Sequence, residues 1–558
     1  MLFEALEAAR DLGRLHEIAS ILIRFGFGDM VRRLGMGKAL ESAGRILHWK
    51  EAQELAALKP PERIRRALEE LGPSFVKLGQ ILATRIDLFP PEYLAEFEKL
   101  HDHAPPVPFA EIRAQVEEDI GQALEVVFAE VDAAPLAAAS IAQVHRARLK
   151  SGEDVVLKVR RPGIRPKVEA DLRLLLRLAE IAETEIEEMA QFRPKEIASQ
   201  FARSLRQELD LANECRNAER VAANFADDPF ITIPTIYWEW TAERLNVQQY
   251  VAGVPGTDLD AVDAAGLDRK LLAARGADAV LKMILEDRFF HADPHPGNVF
   301  YLPGNTIVFI DFGMTGYLSE PRARQLTDLL GGIIEHDTGH VLDVLLAWSP
   351  DSDTDEAVLA TELDAFIDRV HGLPLKALDL PNLIFDLVAL MREHRLSLPP
   401  DLSLLTKAFV TLEGMGRQLD PDFDVGAAAM PYVQRLLLAR FTLAAIAARG
   451  RRSATDLVDL LADLPADLKK LIRSAQKGSL RMRVGVDRLD QVVGRMDRAI
   501  SRLTMGIVIA ALILGSSTVM TASGVEVPFG VPFFAMLGFF AAIVGGAWLV
   551  YSIWANRQ

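Results

Sequence analysis

The stretch His291–Gly313, HADPHPGNVFYLPGNTIVFIDFG, places three polar side chains around a predicted β-hairpin. Asn298 lies five residues after Asp293, and Asp311 follows after two β-rich runs separated by the turn Pro303-Gly304-Asn305. The turn is expected to fold Asn298 and Asp311 back toward each other, so that all three side chains share one site. The two predicted strands are Val299–Leu302 and Thr306–Ile310.

This spacing is the one that protein-kinase catalytic loops use for phosphoryl transfer. Their pattern is H-R-D-x-x-x-x-N followed by D-F-G, with the first Asp aimed at the attacking hydroxyl and the Asn and second Asp on Mg²⁺. By that pattern Asp293 is the candidate catalytic residue, and Asn298 and Asp311 are candidate metal ligands. Amide and carboxylate oxygens are the ligands that Mg²⁺ prefers. The sequence therefore predicts ATP and Mg²⁺ as cofactors.

Composition restricts the classes of partner. The chain has 558 residues, a formal net charge of -16 and 50% hydrophobic residues. The acidic balance argues against nucleic acid, because phosphate backbones are bound by clustered Lys and Arg. A single cysteine, Cys215, excludes an intramolecular disulfide and fits a reducing compartment. The first residues carry acids among apolar side chains, which is not the pattern of a secretory signal, so we expect the catalytic part to stay in the cytoplasm.

Two uncharged segments near the end of the chain predict a membrane anchor. Thr504–Val525 and Val527–Ala555 contain no charged residue, and about 20 apolar residues suffice to cross the hydrocarbon core. The preceding segment 469–502 holds ten Lys or Arg against three Asp. By the positive-inside rule both flanks face the cytoplasm. We therefore predict a multi-pass protein of the cell inner membrane, with the lipid membrane as a partner.

Between these ends the order of elements predicts an α+β fold of two lobes, similar to a protein kinase. A small sheet with an inserted helical stretch, residues 164–224, is followed by a mostly helical lobe. The predicted strands before the catalytic hairpin are Val126–Val131, Ala142–Leu149, Asp154–Val159, Thr232–Trp240 and Leu245–Val251. The predicted units are a helical N-terminal extension (1–120), an N-lobe (121–255), a C-lobe (256–465), a basic juxtamembrane helix (466–503) and two transmembrane helices (504–555).

The nucleotide would lie between the lobes, against a loop and a lysine of the first sheet. Lys158 ends the strand VVLK, as the phosphate-pairing Lys of V-A-I-K does. Backbone groups of Tyr250–Ala252 could bond the adenine where the chain crosses between lobes. The loop fits the frame G-x-G-x-x-G-x-V with alanine at every glycine place, and each Cβ disfavours positive φ. The loop candidates for nucleotide contact are Ala137, Ala138, Ala139, Ser140, Ala142 and Val144.

Four motifs together resemble the UbiB-type atypical kinases, also called the ABC1 or ADCK group. They are KLGQ at Lys77–Gln80, the alanine-rich loop AAASIAQVHRA, ELD at Glu208–Asp210, and HADPHPGN with DFG. The resemblance implies a kinase-like fold, ATPase activity and a supporting role in ubiquinone biosynthesis. The partners that it implies are ATP, quinone-precursor lipids and quinone-biosynthesis enzymes, and a homodimer is left open.

The resemblance also assigns a role to the helix that carries KLGQ. By resemblance this helix lies over the cleft, with Lys77 and Gln80 facing the nucleotide and with Glu208 and Asp210 in the polar cluster. Glu208 is favoured either as the partner of Lys158 or as a member of a cluster with Lys77, and these two roles are left open. Glu214 is a further candidate for the partner of Lys158.

Three alternatives compete with an ATPase. The segment after D-F-G passes almost at once into helical sequence, which leaves little platform for a peptide. A small-molecule or lipid phosphotransferase is therefore one alternative, and a nucleotide-sensing scaffold with little turnover is another. The pattern H-x-D-x-H at His291, Asp293 and His295 could also indicate a transition-metal hydrolase.

Overall fold

The computed structural model describes residues 2–33, 58–100, 104–186, 189, 193–350, 352, 354–370 and 380–440. The predicted transmembrane segments Thr504–Val525 and Val527–Ala555, and the basic segment 466–503, lie outside these residues. Among the described residues, no helix combines the length and the apolar character that a membrane span requires.

The described residues of the N-terminal extension are mostly helical, as predicted. Proline stands in the first turn of α3, α4 and α5, where its missing N–H costs no helix hydrogen bond. Side chains of α1, α3 and α4 share one apolar core with Leu174 of a later helix, so the extension packs against the N-lobe. Its helices are α1 (Leu2–Arg24), α2 (Gly28–Arg33), α3 (Pro60–Leu71), α4 (Pro73–Leu82), α5 (Pro91–Phe97) and α6 (Phe109–Ile120).

Buried acids attach this extension to both lobes. Asp171 accepts hydrogen bonds from Arg14 Nε at 2.6 Å and from Ser74 Oγ at 2.6 Å. Asp87 pairs with Arg85 at 2.6 Å and accepts from the backbone N–H of Leu398, in the C-lobe, at 3.2 Å. The extension therefore contacts both halves of the kinase-like part.

The strands form three sheets. The first has the order β1-β3-β4-β6 with β2 beside β3, the second has the order β5-β10-β9-β7, and β8 pairs with β11. A short helix, α7 (Leu124–Val127), precedes the first strand. The strands are β1 (Phe128–Val131), β2 (Ala137–Ala138), β3 (Ala142–Leu149), β4 (Asp154–Arg160), β5 (Ile231–Thr232), β6 (Leu245–Gln249), β7 (Val254–Pro255), β8 (Phe289–His291), β9 (Val299–Leu302), β10 (Thr306–Phe309) and β11 (Thr315–Tyr317).

Two strand predictions were wrong in extent. The predicted strand Val126–Val131 begins as the last two residues of α7, so only its second part is β1. The predicted strand Thr232–Trp240 ends at Thr232, because Pro234 has no N–H for a sheet ladder. The short β5 that remains pairs in parallel with β10, whereas Ile236, from the later part of the predicted strand, forms an antiparallel bridge with Gln248 of β6.

The described residues of the helical insert form three helices rather than one continuous stretch. They are α8 (Ile164–Glu185), α9 (Pro194–Glu208) and α10 (Leu211–Asn224). Asp210 separates α9 from α10: its backbone is extended, and its side chain accepts the N–H of Ala212 as an N-cap. This change of direction decides where the acids of the ELD motif point.

The C-lobe is mostly helical and contains the largest apolar core of the described chain. In this core α12 packs against β8, α17 and α18. Residues 250–253 connect β6 of the first sheet to β7 of the second, so the predicted crossing point is confirmed. The helices are α11 (Leu259–Ala264), α12 (Arg269–Leu285), α13 (Glu320–Glu335), α14 (Thr338–Trp348), α15 (Glu356–Val370), α16 (Leu380–Glu393), α17 (Pro400–Leu419) and α18 (Val425–Arg440).

Candidate active site

Lys158 lies at the centre of the site, between two carboxylates. It projects from β4, which is paired with β3 and β6 on either side. Its Nζ is 2.8 Å from Oε2 of Glu214, in the first turn of α10, and 3.1 Å from Oδ2 of Asp311. This ammonium therefore joins the N-lobe sheet, the helical insert and the D-F-G segment.

The three groups shift one another's pKa values. Burial acts to lower the pKa of Lys158, but the carboxylates of Asp311 and Glu214 outweigh it and hold that pKa above its ordinary value. Burial raises the pKa of Glu214 to about 7, although Lys158 opposes the change. Burial also acts to raise the pKa of Asp311, but Lys158 and Lys77 hold it below its ordinary value. At neutral pH Lys158 is a cation and Asp311 a carboxylate.

Asp311 is strained and accessible. Its φ of +60° lies in the left-handed region that non-glycine residues rarely adopt. Its Oδ1 accepts the N–H of Gly313 at 3.2 Å, which helps to hold this backbone. The side chain keeps 45% of its surface exposed, so its oxygens can reach an ion or ligand in the cleft.

The hairpin brings Asn298 beside the D-F-G segment, as predicted from the sequence. Val299 pairs with Phe309 across β9 and β10, and the N–H of Ile310 donates to the carbonyl of Asn298 at 2.9 Å. The side-chain nitrogen of Asn298 donates to the carbonyl of Asp293 at 3.2 Å. The amide oxygen of Asn298 is therefore the atom that this side chain could offer to a cation.

The histidines of H-x-D-x-H are used within the loop. His291 is fully buried; its Nε2 contacts the carbonyl of Ile310 at 3.2 Å, and its Nδ1 accepts the N–H of Asp293 at 3.2 Å. Burial lowers the pKa of His291, which keeps the ring neutral. Nδ1 of His295 accepts the N–H of Gly297 at 3.0 Å. The described residues contain no cluster of three His, Cys, Asp or Glu that could hold a metal ion.

Asp293 forms an ion pair that was not predicted from the sequence. Nζ of Lys407, on α17 of the C-lobe, is 3.0 Å from Oδ2 of Asp293. Lys407 lies 114 residues after Asp293, in the stretch LLTKAFV, which contains no other charged residue. Nothing in the sequence connected Lys407 to the catalytic loop.

The KLGQ helix divides its two polar residues between the site and the core. Lys77 pairs with Glu208 at 2.5 Å, and its charge also lowers the pKa of Asp311. Gln80 instead donates its side-chain N–H to the carbonyl of Leu100 at 3.0 Å, within the extension. Lys77 therefore belongs to the charged cluster, whereas the expectation that Gln80 faces the nucleotide is not what the structure shows.

The two acids of the ELD motif go to different places. Glu208 ends α9 and pairs with Lys77, which is the second of the two roles that were left open. As the partner of Lys158 it was the wrong choice, because Glu214 occupies that position. Asp210 lies outside the cluster: it caps α10 and pairs with Arg216 at 3.0 Å.

The alanine-rich loop forms a tight hairpin above Lys158. Ala137 pairs with Val144 and Ala138 with Gln143, and the N–H of Ala139 donates to the carbonyl of Ala142 at 2.8 Å. None of these alanines has positive φ. Val144 in turn lies opposite Lys158 in the β3–β4 register. The loop candidates Ala137, Ala138, Ala139, Ser140, Ala142 and Val144 are therefore brought close to the lysine, and their contact with nucleotide stays a prediction.

Curated relatives match almost the whole chain. One named "Probable protein kinase UbiB" from Sodalis glossinidius is 32% identical over 517 residues, covering 91% of this chain and 93% of that protein. The chain belongs to the ABC1/UbiB family of atypical kinases. A relative of the same name from Serratia proteamaculans is 32% identical over 527 residues, with 93% and 95% covered.

The family models place the ABC1/UbiB parts along the chain. The ABC1 atypical kinase-like domain matches residues 99–345, the UbiB helical domain 363–424, and the ABC1/UbiB kinase-like C-terminal domain 487–555. Among solved structures, the complex of Rv3197 with erythromycin from Mycobacterium tuberculosis aligns with a TM-score of 0.44 and 20% identity, covering 70% of this chain and 97% of that one. An ABC1 kinase-like domain implies ATP binding.

Proposed function

We propose that this chain is an atypical kinase of the inner membrane that uses ATP and Mg²⁺ to support ubiquinone biosynthesis. The observation that carries the proposal is the position of Lys158 between Glu214 and Asp311, with Asn298 and Asp293 on the adjoining hairpin. These are the residue types and the order that phosphoryl transfer requires.

The charges of the site support a requirement for a divalent cation. Three ammonium groups pair with four carboxyl groups, of which Glu214 has a pKa of about 7, so the site carries no net positive charge at neutral pH. The residues in this count are Lys77, Lys158, Lys407, Glu208, Glu214, Asp293 and Asp311. A triphosphate brings further negative charge, so it needs added positive charge in order to bind. Asn298 and Asp311 offer oxygen atoms for Mg²⁺, which when bound would neutralise phosphate oxygens.

The residues of the chain then have separable roles. Two carboxylates hold Lys158 in position to neutralise phosphate charge. The lysine of the V-A-I-K motif has this role in protein kinases. Asp293 orients the attacking oxygen and accepts its proton. The alanine-rich hairpin covers the phosphates with a loop that has less backbone freedom than glycine would give.

The acceptor is proposed to be water or a small or lipid-borne hydroxyl rather than a peptide. Seven residues after Gly313 the chain enters α13 at Glu320, so little surface is left on which a peptide could dock. The KLGQ helix, tied to the insert by Lys77 and Glu208, adds to the occlusion. ATP-driven extraction or presentation of quinone-precursor lipids, or organisation of quinone-biosynthesis enzymes, would fit such a site and the predicted membrane anchor.

Removal of one metal ligand tests the proposal. Asp311→Asn is expected to lower ATP turnover more than about 100-fold, because the variant loses a carboxylate that would bind Mg²⁺. The matched control is Asp260→Asn, which makes the same change at an exposed acid of α11. Turnover of the full chain is measured with and without anionic liposomes, and thermal unfolding shows whether the variants stay folded.

Each outcome discriminates between the candidate functions. Equal turnover in Asp311→Asn and the parent would overturn the metal assignment. Nucleotide binding without turnover, even with liposomes, would favour the scaffold, and a phosphorylated product in a metabolite panel would favour the phosphotransferase. Unchanged quinone levels in a deletion strain would contradict the role in ubiquinone biosynthesis.

A further inference from the structure

Lys407 reaches the catalytic loop from a helix that is distant in sequence. It lies within α17, and its Nζ is 3.0 Å from Oδ2 of Asp293. The same nitrogen lies 3.7 Å from Sδ of Met314, the residue after the D-F-G glycine. Lys407 therefore contacts both segments that carry the candidate chemistry.

The ion pair of Lys407 and Asp293 is partly shielded from water, with side chains that are 19% and 27% exposed. The neighbours of Lys407 in α17 include the buried residues Leu405 and Ala408. Placing an ammonium among apolar side chains is unfavourable unless a partner offsets the cost. On the same helix Arg417 pairs with Glu413 at 2.7 Å with 61% of its side chain exposed, which is a common surface pair.

Asp293 depends on Lys407 for a nearby positive charge. Lys158 is already engaged by Glu214 and Asp311, and Lys77 by Glu208. The loop residues 294–297 contain no Lys or Arg. Within the part of the chain that the structure describes, Lys407 is the cation found within ion-pair distance of Asp293.

The negative charge of Asp293 is unfavourable for phosphoryl transfer. Asp293 must stay close to the transferring group while both are anionic, and their repulsion opposes the reaction. A lysine ammonium has three N–H donors on a flexible stem, so it can donate to a carboxylate and to a phosphate oxygen together. Lys407 has the position and the donors to do both.

We propose that Lys407 is a catalytic residue that contacts the γ-phosphoryl group while it is paired with Asp293. This inference rests on the proposed function. The acceptor oxygen bonds to the γ-phosphorus, and the bond from that phosphorus to the β–γ bridging oxygen breaks. ADP leaves with the electron pair, and the acceptor proton passes to Asp293. Lys407 stays protonated throughout and offsets the negative charge on the transferring group.

The test compares Lys407→Met and Lys407→Arg with the parent chain. Lys407→Met is expected to lower kcat about 100-fold or more, as loss of one charge-stabilising donor does at other sites, with the KM for ATP within about threefold. Lys407→Arg keeps the charge and should recover a measurable part of kcat. The matched control is Arg417→Met, which removes the cation of the exposed Arg417–Glu413 ion pair in α17 and should leave kcat unchanged.

Equilibrium binding separates contact with the γ-position from a structural effect. Lys407→Met should bind Mg-ADP as the parent does, but should bind Mg-ADP with vanadate about tenfold or more weakly, because only that complex fills the γ-position. Unfolding temperature is measured for each variant. If Lys407→Met does not fold, the same comparison is made with Lys407→Arg, which should still show a weaker vanadate complex because its donors are placed differently.

The outcomes separate this inference from the proposed function. If the parent chain neither binds nor turns over ATP, the proposed function is wrong. If the parent is active and Lys407→Met shows the parent kcat, Lys407 is not catalytic. Equal losses of ADP and ADP-vanadate binding, together with a lower unfolding temperature, would assign Lys407 a structural role and would likewise overturn the inference.

Discussion

The two acids that pair with Lys158 have pKa values that are shifted in opposite directions. Asp311 remains ionised because Lys158 and Lys77 face it, whereas Glu214 is buried and next to that same negative charge. Its pKa of about 7 places Glu214 at the boundary between neutral and charged under physiological conditions. The position of this residue therefore makes the site sensitive to pH near neutrality.

Glu214→Gln should remove a pH dependence of stability between about pH 4.5 and pH 7. The pKa of Glu214 rises from 4.5 to about 7 on folding, so in this window the folded chain holds a proton that the unfolded chain releases. Stability contributed by this group is present below pH 4.5 and is lost as pH rises, by at most about 1.4 kcal/mol per pH unit.

Urea unfolding of the parent and of Glu214→Gln across this range measures the effect. The lowered pKa of Asp311 acts at a more acidic pH and the raised pKa of Lys158 at a more alkaline one, so neither interferes. Parallel pH profiles for the two proteins would contradict the assignment.

At this scale the sequence predicted the motif residues and missed their long-range partners. Asp293, Asn298 and Asp311 could be placed because a hairpin and a fixed spacing are local features. Glu214 was ranked behind Glu208 because the break at Asp210 was not recognised, and a new helix start reorients every following side chain. Lys407 could not be placed, since its contact with Asp293 depends on how α17 packs against the lobe.

Among the helices, the KLGQ helix α4 shows why a glycine stands where alanine would form helix better. A Cβ built on Gly79 would lie 2.1 Å from Cδ1 of Leu100 and 2.9 Å from Cδ1 of Leu68, both of which are buried. The helix approaches its neighbours more closely than any side chain at position 79 would allow.

Gly79→Ala and Gly414→Ala should change stability in opposite directions. Both glycines are helical, so each substitution gains up to about 1 kcal/mol of helix propensity. At Gly79 the collision with Leu100 should cost about 2 kcal/mol, which leaves a net loss of about 1 kcal/mol. At Gly414, in α17, no atom lies within 4 Å of the added Cβ, so the gain should remain.

Urea unfolding midpoints of the two variants give the comparison. A stabilised Gly79→Ala protein would show that Leu100 moves aside at little cost, and the packing argument would then fail.

The secondary-structure elements were predicted well where the pattern is local and less well where it depends on distant partners. Strands with strong local patterns were predicted nearly to the residue, whereas β5 was shortened by Pro234 and redirected to β10, a partner that no local pattern specifies.

For the whole molecule, the extension is held to the kinase-like part by buried charge. Asp171 is 2% exposed and accepts from Arg14 of α1 and Ser74 of α4. Removing one partner of such a buried acid lowers the stability of the fold strongly, because the remaining charge stays out of water and unpaired. The α+β division into lobes was predictable from the order of strands and helices. This attachment was not predictable, because Ser74 and Arg14 lie 97 and 157 residues before Asp171 in the sequence.

Asp171→Asn should destabilise the chain by about 3 kcal/mol, since it leaves the guanidinium of Arg14 without its buried partner. The matched control is Glu17→Gln: Glu17 pairs with the same Arg14 at 2.8 Å but is 57% exposed, so its loss should cost less than about 1 kcal/mol. Denaturant unfolding of both variants measures the difference. Similar losses at the two sites would show that burial of the Arg14–Asp171 pair is unimportant.

The shared core of the extension and α8 also bears on where this protein can be divided. The family's kinase-like match begins at residue 99, so all the residues that the extension contributes to this core except Leu100 precede it, yet Leu174 and Leu175 of α8 lie within the match and pack against them. A chain that begins at that limit would expose apolar side chains of α8 to water. It would also leave the carboxylate of Asp171 without Arg14 and Ser74. The limits of sequence similarity are therefore not the limits of a unit that can fold alone.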